Sequence, residues 1–349
     1  MKPIEIAGHT IGPGQPCFII AEAGVNHNGS LELARRMVDV AAEAGADAIK
    51  FQTFRADRLV TPTAPKARYQ MATTDTAETQ YEMLRRLELS EEAHVALLDY
   101  CRAQGITFLS TPFDEGSADF LAALDVPALK IPSGEITNLP LLAHLARKGK
   151  PLILSTGMST LGEVETALDA IRAAGNRDVI VLHCVSSYPA SAGDVNLLAM
   201  RTLELAFGLP VGYSDHTMGA EVAFAAIALG ACVLEKHFTL DRSAPGPDQQ
   251  ASLLPQELVE LVRGVRSVES ALGTGIKTPA GSEWETRSVA RKSLVAEVDI
   301  EPGTVITALM VGTKRPGTGI PPAMLAGVIG RTARANIPSG TLLGWEMLQ

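Results

Sequence analysis

Through residues 1–275, short apolar runs alternate with longer segments in which apolar positions recur every three or four residues. Such runs predict parallel strands buried on both faces, and the segments between them predict crossover helices. The runs read CFIIAEAG (17–24), DAIKFQT (47–53), ITFLSTP (106–112), ALKIPSG (128–134), PLILSTG (151–157), VIVLHCVSS (179–187), PVGYSDH (210–216) and VLEKHFT (233–239). Helices are expected over 31–44, between Ser30 as N-cap and Gly45 as stop, and over 159–174, capped by Ser159 and followed by Gly175. Eight βα repeats in this length predict an α/β fold, a (β/α)8 TIM barrel.

In such a barrel the strand C-termini share one mouth, and active sites are built there. The runs end on Glu22, Lys50, Thr111, Lys130 with Ser133 and Glu135, Ser155 with Thr156, His183, Asp215 with His216, and Lys236 with His237. Serine and threonine are ordinary where a loop begins. Lysines and histidines directly after apolar strand residues point to a site. Lys50 and Lys130 are fixed cations suited to a phosphate or carboxylate, the alternative for either alone being a lysine that snorkels past the barrel rim. The Ser133-Gly134 and Ser155-Thr156-Gly157 turns can offer hydroxyl and N–H groups to an anion, or simply cap helices. His216 and His237 end neighbouring strands, and two imidazoles completed by water suit Mn²⁺, Zn²⁺, Fe²⁺ or Co²⁺. Asp215 and Asp248 could tune a histidine or act as outer ligands. His183 reads as a satisfied rim histidine or as a functional one. Glu22 and Glu135 are available for proton transfer or for gripping sugar hydroxyls.

The pattern changes after the barrel. Residues 276–290 read as a linker, and 291–349, with short strands and many Gly/Pro turns, as a small β-rich domain. Within it, KRPGTGIPP puts Arg315 on a stiff loop that could present a planar donor fork, though by itself it reads as a surface arginine. Residues 55–80 make the interval from Lys50 to Thr111 the longest between strand ends, and read as an active-site loop or lid.

With 46% hydrophobic residues the chain can bury a large core, and its formal charge of −9 argues against a nucleic-acid partner. An anionic ligand must therefore be held by a local cluster of basic groups. Cys17, Cys101, Cys184 and Cys232 lack metal or redox spacing and read as buried thiols in a reducing compartment. The longest apolar stretch, 222–234, has 13 residues, short of the roughly 20 a membrane helix needs. With no signal-peptide pattern, a soluble cytoplasmic protein is expected.

The chain resembles the sialic acid synthase family. The motifs that carry the resemblance are IIAEAGVNHNGSLELA, GADAIKFQTF, FLSTPFD, KIPSGE, LSTGM, LHCVSSYPA, GYSDHTMG, LEKHFTLD with GPDQQASL, and KRPGTGIPP, in order along nearly the whole chain. The resemblance implies a TIM barrel followed by an antifreeze-like (SAF) domain. It implies condensation of phosphoenolpyruvate (PEP) with an open-chain amino sugar to give a nine-carbon 2-keto acid and phosphate. Carried over position by position, it implies a divalent metal, Mn²⁺ first and Mg²⁺ or Co²⁺ otherwise, on His216 and His237. PEP would be held by Lys50, Thr111, Lys130, Ser133 and Ser155. Glu22, Glu135 and Asp248 would orient sugar hydroxyls or activate water. Ser186 and Tyr188 would contact the sugar, as would Arg315, reaching across a domain-swapped homodimer.

Ser186 stands where sialic acid synthases often carry Asn, and Gln249 where many carry His. Relatives acting on di-N-acetylated 6-deoxy sugars often have Ser or Thr at the first position. The expected sugar is therefore N-acetylmannosamine or a di-N-acetylated 6-deoxy hexose. The alternatives are a PEP-condensing synthase for a phosphorylated aldose and a non-catalytic carbohydrate-binding scaffold.

Overall fold

The computed structural model describes residues 2–75 and 77–349, and the chain divides after Gly273 into two compact units. The first opens with an antiparallel hairpin, β1 (Ile4–Ile6) and β2 (His9–Ile11). Eight parallel strands follow: β3 (Phe18–Gly24), β4 (Ala48–Thr53), β5 (Thr107–Pro112), β6 (Leu129–Ile131), β7 (Leu152–Ser155), β8 (Val179–Cys184), β9 (Val211–Asp215) and β10 (Val233–His237). They are ordered β5-β4-β3-β10-β9-β8-β7-β6. The first and last barrel strands, β3 and β10, therefore pair, and the sheet rolls into a nearly closed barrel, with β5 and β6 adjacent but joined by no ladder among the described residues. Each of the eight apolar runs is one of these strands.

Side chains of period two decide what each strand contributes. Ile19, Ile49, Phe108, Leu154, Val181 and Leu234 point outward and pack under the helices. Phe18, Ile20, Ala48, Leu109, Ile153, Ile180 and Val233 point inward and fill the barrel floor. Ile4, Ile6 and Ile11 of the hairpin join that inner cluster and plug the barrel. Three-residue strands are too short to show a period, so the hairpin carries no legible signal in the sequence.

Helix Leu31–Glu43 starts and stops as the sequence predicts: the Ser30 hydroxyl accepts from Leu33 N–H at 3.3 Å, and Gly45 takes φ +78°. Helix Leu161–Ala173 begins later than expected. Its N-cap is Thr160, in a capping box with Glu163, and Ser159 instead donates to the Gly157 carbonyl at 3.2 Å.

The long excursion after β4 folds over the mouth as short helices, Ala56–Leu59, Arg68–Thr73 and Gln80–Leu87. Met83 and Leu87 pack there with Val25 and Phe54.

The second unit, 274–349, pairs β11 (Ser293–Ala296) with β12 (Val311–Lys314) around a core that includes Leu294, Ile300, Ile306, Val328 and Leu343. The stretch expected as a linker is helical over Glu283–Ala290, and the Ser288 carbonyl accepts from Gly317 N–H at 2.8 Å. Among the described residues no helix is long and apolar enough to cross a membrane, and all four cysteines are free and buried.

Candidate active site

A cavity of about 490 Å³ opens at the C-terminal ends of the barrel strands. Period two delivers its polar lining. Glu22 comes from β3, Lys50 from β4, Thr111 from β5, Lys130 from β6, Ser155 from β7, and Glu235 with His237 from β10. His216 follows β9 directly. Ser133, Glu135, Ser186, Tyr188 and Asp248 arrive on the loops beyond the strands. Twelve of the thirteen site residues expected from sequence thus share one cavity. The thirteenth, Arg315, is exposed in the second unit on a loop pinned by bonds from Ser293 Oγ to Pro316 O (2.7 Å) and from Gly319 N–H to Ser293 Oγ (2.9 Å).

The floor of the cavity is an ionic lattice. Lys50 Nζ lies 2.8 Å from Glu22 Oε2 and 3.7 Å from Glu235 Oε2, and donates to Thr111 Oγ1 at 2.9 Å. Lys130 Nζ lies 3.8 Å from Glu235 Oε1 and donates to Ser155 Oγ at 2.6 Å. Ser214 Oγ donates to Glu235 Oε1 at 2.9 Å. Glu235 thus bridges the two lysines from across the barrel.

Burial acts on all four charges. It raises the Glu22 carboxyl to about 7, with Glu235 adding to the rise and Lys50 opposing it. Burial would raise Glu235 too, but Lys130, Lys50 and the Ser214 hydroxyl outweigh it and hold this carboxyl at about 2. The Lys50 ammonium loses to burial and regains more from Glu22 and Glu235, so its pKa rises. That of Lys130 falls, because burial is only partly offset by Glu235.

Beside the lattice stand two histidines, His216 and His237, with ring centroids 5.5 Å apart. Tyr188 packs against both, at 4.2 and 5.8 Å. His216 Nδ1 donates to the Val185 carbonyl at 2.7 Å, which leaves the Nε2 lone pair free. His237 Nδ1 is buried without a hydrogen bond, 3.9 Å from Asp248 Oδ2. Burial lowers both imidazole pKa values and keeps the rings neutral, and it raises Asp248 to about 6. Two neutral imidazoles, one with an orphaned buried nitrogen, fit a borderline divalent metal. Among the described residues no group of three or more His, Cys, Asp or Glu is placed to hold a metal ion, so the two histidines would be its only such ligands. A metal here would keep open positions.

On the other side of the cavity, Ser133 Oγ accepts from Gly157 N–H at 2.9 Å and lies 3.1 Å from Cys184 Sγ. A Cβ on Gly157 would overlap Ser186 Oγ and come within 2.9 Å of both Ser133 Oγ and Cys184 Sγ. Glycine at 157 therefore keeps this hydroxyl-lined cradle open.

Several sequence readings change. Lys236 and Asp215, grouped with the mouth in the sequence, alternate to the outer face of the barrel. There they pair at 2.6 Å, almost fully buried. His183 also points outward, bonded to the Val195 carbonyl at 2.7 Å and stacked on Tyr213. Gln249 does not line the cavity; it is buried, bonded to Thr239 Oγ1 and donating to the Asn26 carbonyl at 3.1 Å. Glu235 was missed, although its place between Val233 and His237 on one strand marks it as inward-facing.

The fold and the site define a TIM-barrel enzyme with a buried lysine–carboxylate floor beside a histidine pair, followed by a small β-rich domain. The chain belongs to the NeuB family, whose profile matches residues 37–277, and it carries a SAF domain over residues 291–349. It is a synthase of the condensing, transferase type. It is 50% identical over 342 residues to N,N'-diacetyllegionaminic acid synthase of Legionella pneumophila, covering 97% of this chain and 96% of that one. It is 38% identical over 357 residues to human N-acetylneuraminate-9-phosphate synthase, covering 99% and 97% of the two chains. Among solved structures, an N-acetylneuraminic acid synthetase from Leptospira borgpetersenii in complex with citrate matches with TM-score 0.73 and 37% identity, over 82% of this chain and 95% of that one.

Proposed function

We propose that this enzyme condenses PEP with an open-chain N-acylated aldose and water, giving a nine-carbon 2-keto acid and phosphate. Its sugar is a di-N-acetylated 6-deoxy hexose. The observation that carries this reading is the pairing of two buried lysines, Lys50 and Lys130, with two neutral histidines in one cavity.

Lys50 and Lys130 receive the phosphate and carboxylate of PEP, with hydroxyls from Thr111, Ser133 and Ser155 filling the remaining acceptor sites. Glu22 and Glu235 hold these ammonium groups in place before substrate arrives. His216 and His237 would hold a divalent ion, Mn²⁺ in this reading with Mg²⁺ or Co²⁺ as substitutes, which when bound supplies Lewis-acid polarisation of the aldehyde. C3 of PEP forms the new bond to the aldehyde carbon, water adds at C2, and phosphate departs with the bridging oxygen as the C2 carbonyl forms. Glu22 and Asp248, with pKa values raised by burial to about 7 and about 6, exchange protons in this sequence near neutral pH. Glu135, held by Asn138 Nδ2 at 2.7 Å, and Tyr188 and Ser186 orient the sugar. Arg315 of the partner subunit completes the sugar site in a domain-swapped homodimer.

The apolar part of the cavity lining supports the sugar assignment. Leu59, Val60, Met83, Leu84 and Phe113 line the cavity, and its only lysines or arginines among the described residues are Lys50 and Lys130. An apolar wall suits a C6 methyl and the methyl of a second acetamido group, and leaves a second phosphate without a partner. The test is phosphate release from PEP with Mn²⁺ against N-acetylmannosamine, a 2,4-diacetamido-trideoxy hexose and N-acetylmannosamine 6-phosphate. Highest kcat/KM with the diacetamido sugar supports the assignment. Preference for the phosphorylated sugar would replace it with the phosphorylated-aldose reading.

A further inference from the structure

The ion pair behind the histidines has no place in the reaction as described, yet it is built with care. Lys236 and Asp215 each sit one residue from a metal-site histidine, on adjacent strands, and are 1% and 0% exposed. They stand in register on β10 and β9. Alternation points them away from the cavity, so neither lines it. Lys236 Nζ donates to Asp215 Oδ2 at 2.6 Å and to the Thr217 carbonyl at 2.6 Å. Asp215 Oδ1 accepts from Thr217 N–H at 2.9 Å, from Thr217 Oγ1 at 2.8 Å and from Tyr213 OH at 3.3 Å. The turn 215–217 that carries His216 is thereby fastened to the strand that carries His237.

A buried lysine–carboxylate pair is seldom kept for stability, because apolar residues of the same volume do as well or better. What it supplies is a fixed distance. Hydrogen bonds from one ammonium to both a side chain and a main-chain carbonyl of the turn leave that turn little freedom. The backbones on either side of His216 are then held relative to β10, and the spacing of the imidazoles follows.

We propose that Asp215 and Lys236 are positioning residues that set the separation of His216 and His237 for metal binding, acting from the outer face of the barrel. This inference rests on the metal reading of the histidine pair. It predicts a selective defect: weaker metal binding with the PEP floor intact, because among the described residues no side-chain hydrogen bond or ion pair joins Lys50, Lys130 or Glu235 to the pair.

The experiment measures Mn²⁺ affinity by electron paramagnetic resonance on metal-free protein, and PEP affinity by calorimetry without metal. The variants are K236M, the double variant D215N/K236M and H237A. The double variant removes both charges together, keeps an acceptor for Thr217 N–H, and leaves no unpaired buried ion. The expected result is a Kd for Mn²⁺ raised roughly ten- to a hundredfold in K236M and in the double variant. PEP affinity should stay within about twofold of the unsubstituted protein, with the circular dichroism spectrum unchanged. Folded variants that bind Mn²⁺ as the unsubstituted protein does would overturn the inference. So would loss of folding in both, which would make the pair a support of the barrel itself. H237A separates the two levels. If it loses Mn²⁺ while the double variant does not, only this inference fails; if H237A keeps Mn²⁺, the two-histidine reading fails and this inference with it.

Discussion

Replacing Glu235 by Gln removes the only carboxylate among the described residues that lies within 4 Å of both lysines, while keeping the size of the side chain. The carboxylate sits 3.7 Å from Lys50 Nζ and 3.8 Å from Lys130 Nζ. Each attraction is about 4 kcal/mol at an effective dielectric near 20, and the cost of burying the carboxylate offsets much of it. Lys50 keeps Glu22 as partner, whereas Lys130 loses its only ion-pair partner among the described residues. Removing one member of a buried pair costs about 3–5 kcal/mol, because the charge left behind stays desolvated. The amide oxygen introduced by Glu235→Gln can still accept from Ser214, so the loss is one of charge rather than of hydrogen bonding. Urea unfolding followed by circular dichroism should show that loss in the free enzyme. Saturating PEP should shrink it, since the ligand's own anions take over the role of the missing carboxylate. A variant within about 1 kcal/mol of the unsubstituted protein, or a PEP-induced stabilisation equal in the two, would refute the electrostatic account.

Three further outcomes follow from the same geometry. Gly157→Ala puts a methyl into the cradle of Ser133, Cys184 and Ser186, and should raise the KM for PEP by an order of magnitude or more while the melting temperature moves little; steady-state kinetics decide it. The Glu22 carboxyl is raised by burial from 4.5 to about 7, so its contribution to stability is present below pH 4.5 and is lost as pH rises through 7. Glu22→Gln should flatten the fall in stability between those limits, and a pH series of urea midpoints with unchanged slope would contradict this. Arg315→Lys should raise the KM for the sugar more than it lowers kcat, because one ammonium cannot reproduce a planar fork; an unchanged KM would remove Arg315 from the sugar site.

Much of this was legible in the sequence, for physical reasons. A strand buried on both faces must be apolar throughout, so eight such runs announced eight strands and their shared mouth. Strand-end lysines and histidines were conspicuous because the residues before them in those runs are mostly apolar. Facing was harder to read. Asp215 and Lys236 lie beside the two histidines in the chain and point the other way in space. The period of two, counted from Tyr213 on β9 and from Val233 on β10, sorts them and places Glu235 on the inner face. The plug formed by Ile4, Ile6 and Ile11 was out of reach, since its pairing is between strands of three residues each. The cradle around Gly157 depends on three loops meeting, which no local pattern records.

In the proposed condensation PEP loses phosphate by C–O cleavage. The most direct test uses PEP carrying oxygen-18 in the bridging position, with Mn²⁺ and the 2,4-diacetamido-trideoxy hexose, and weighs both products. The account predicts label in the released phosphate, and a keto acid equal in mass to the sugar plus the unlabelled pyruvate unit. Label retained in the organic product, or phosphate released without a heavier sugar, would contradict it.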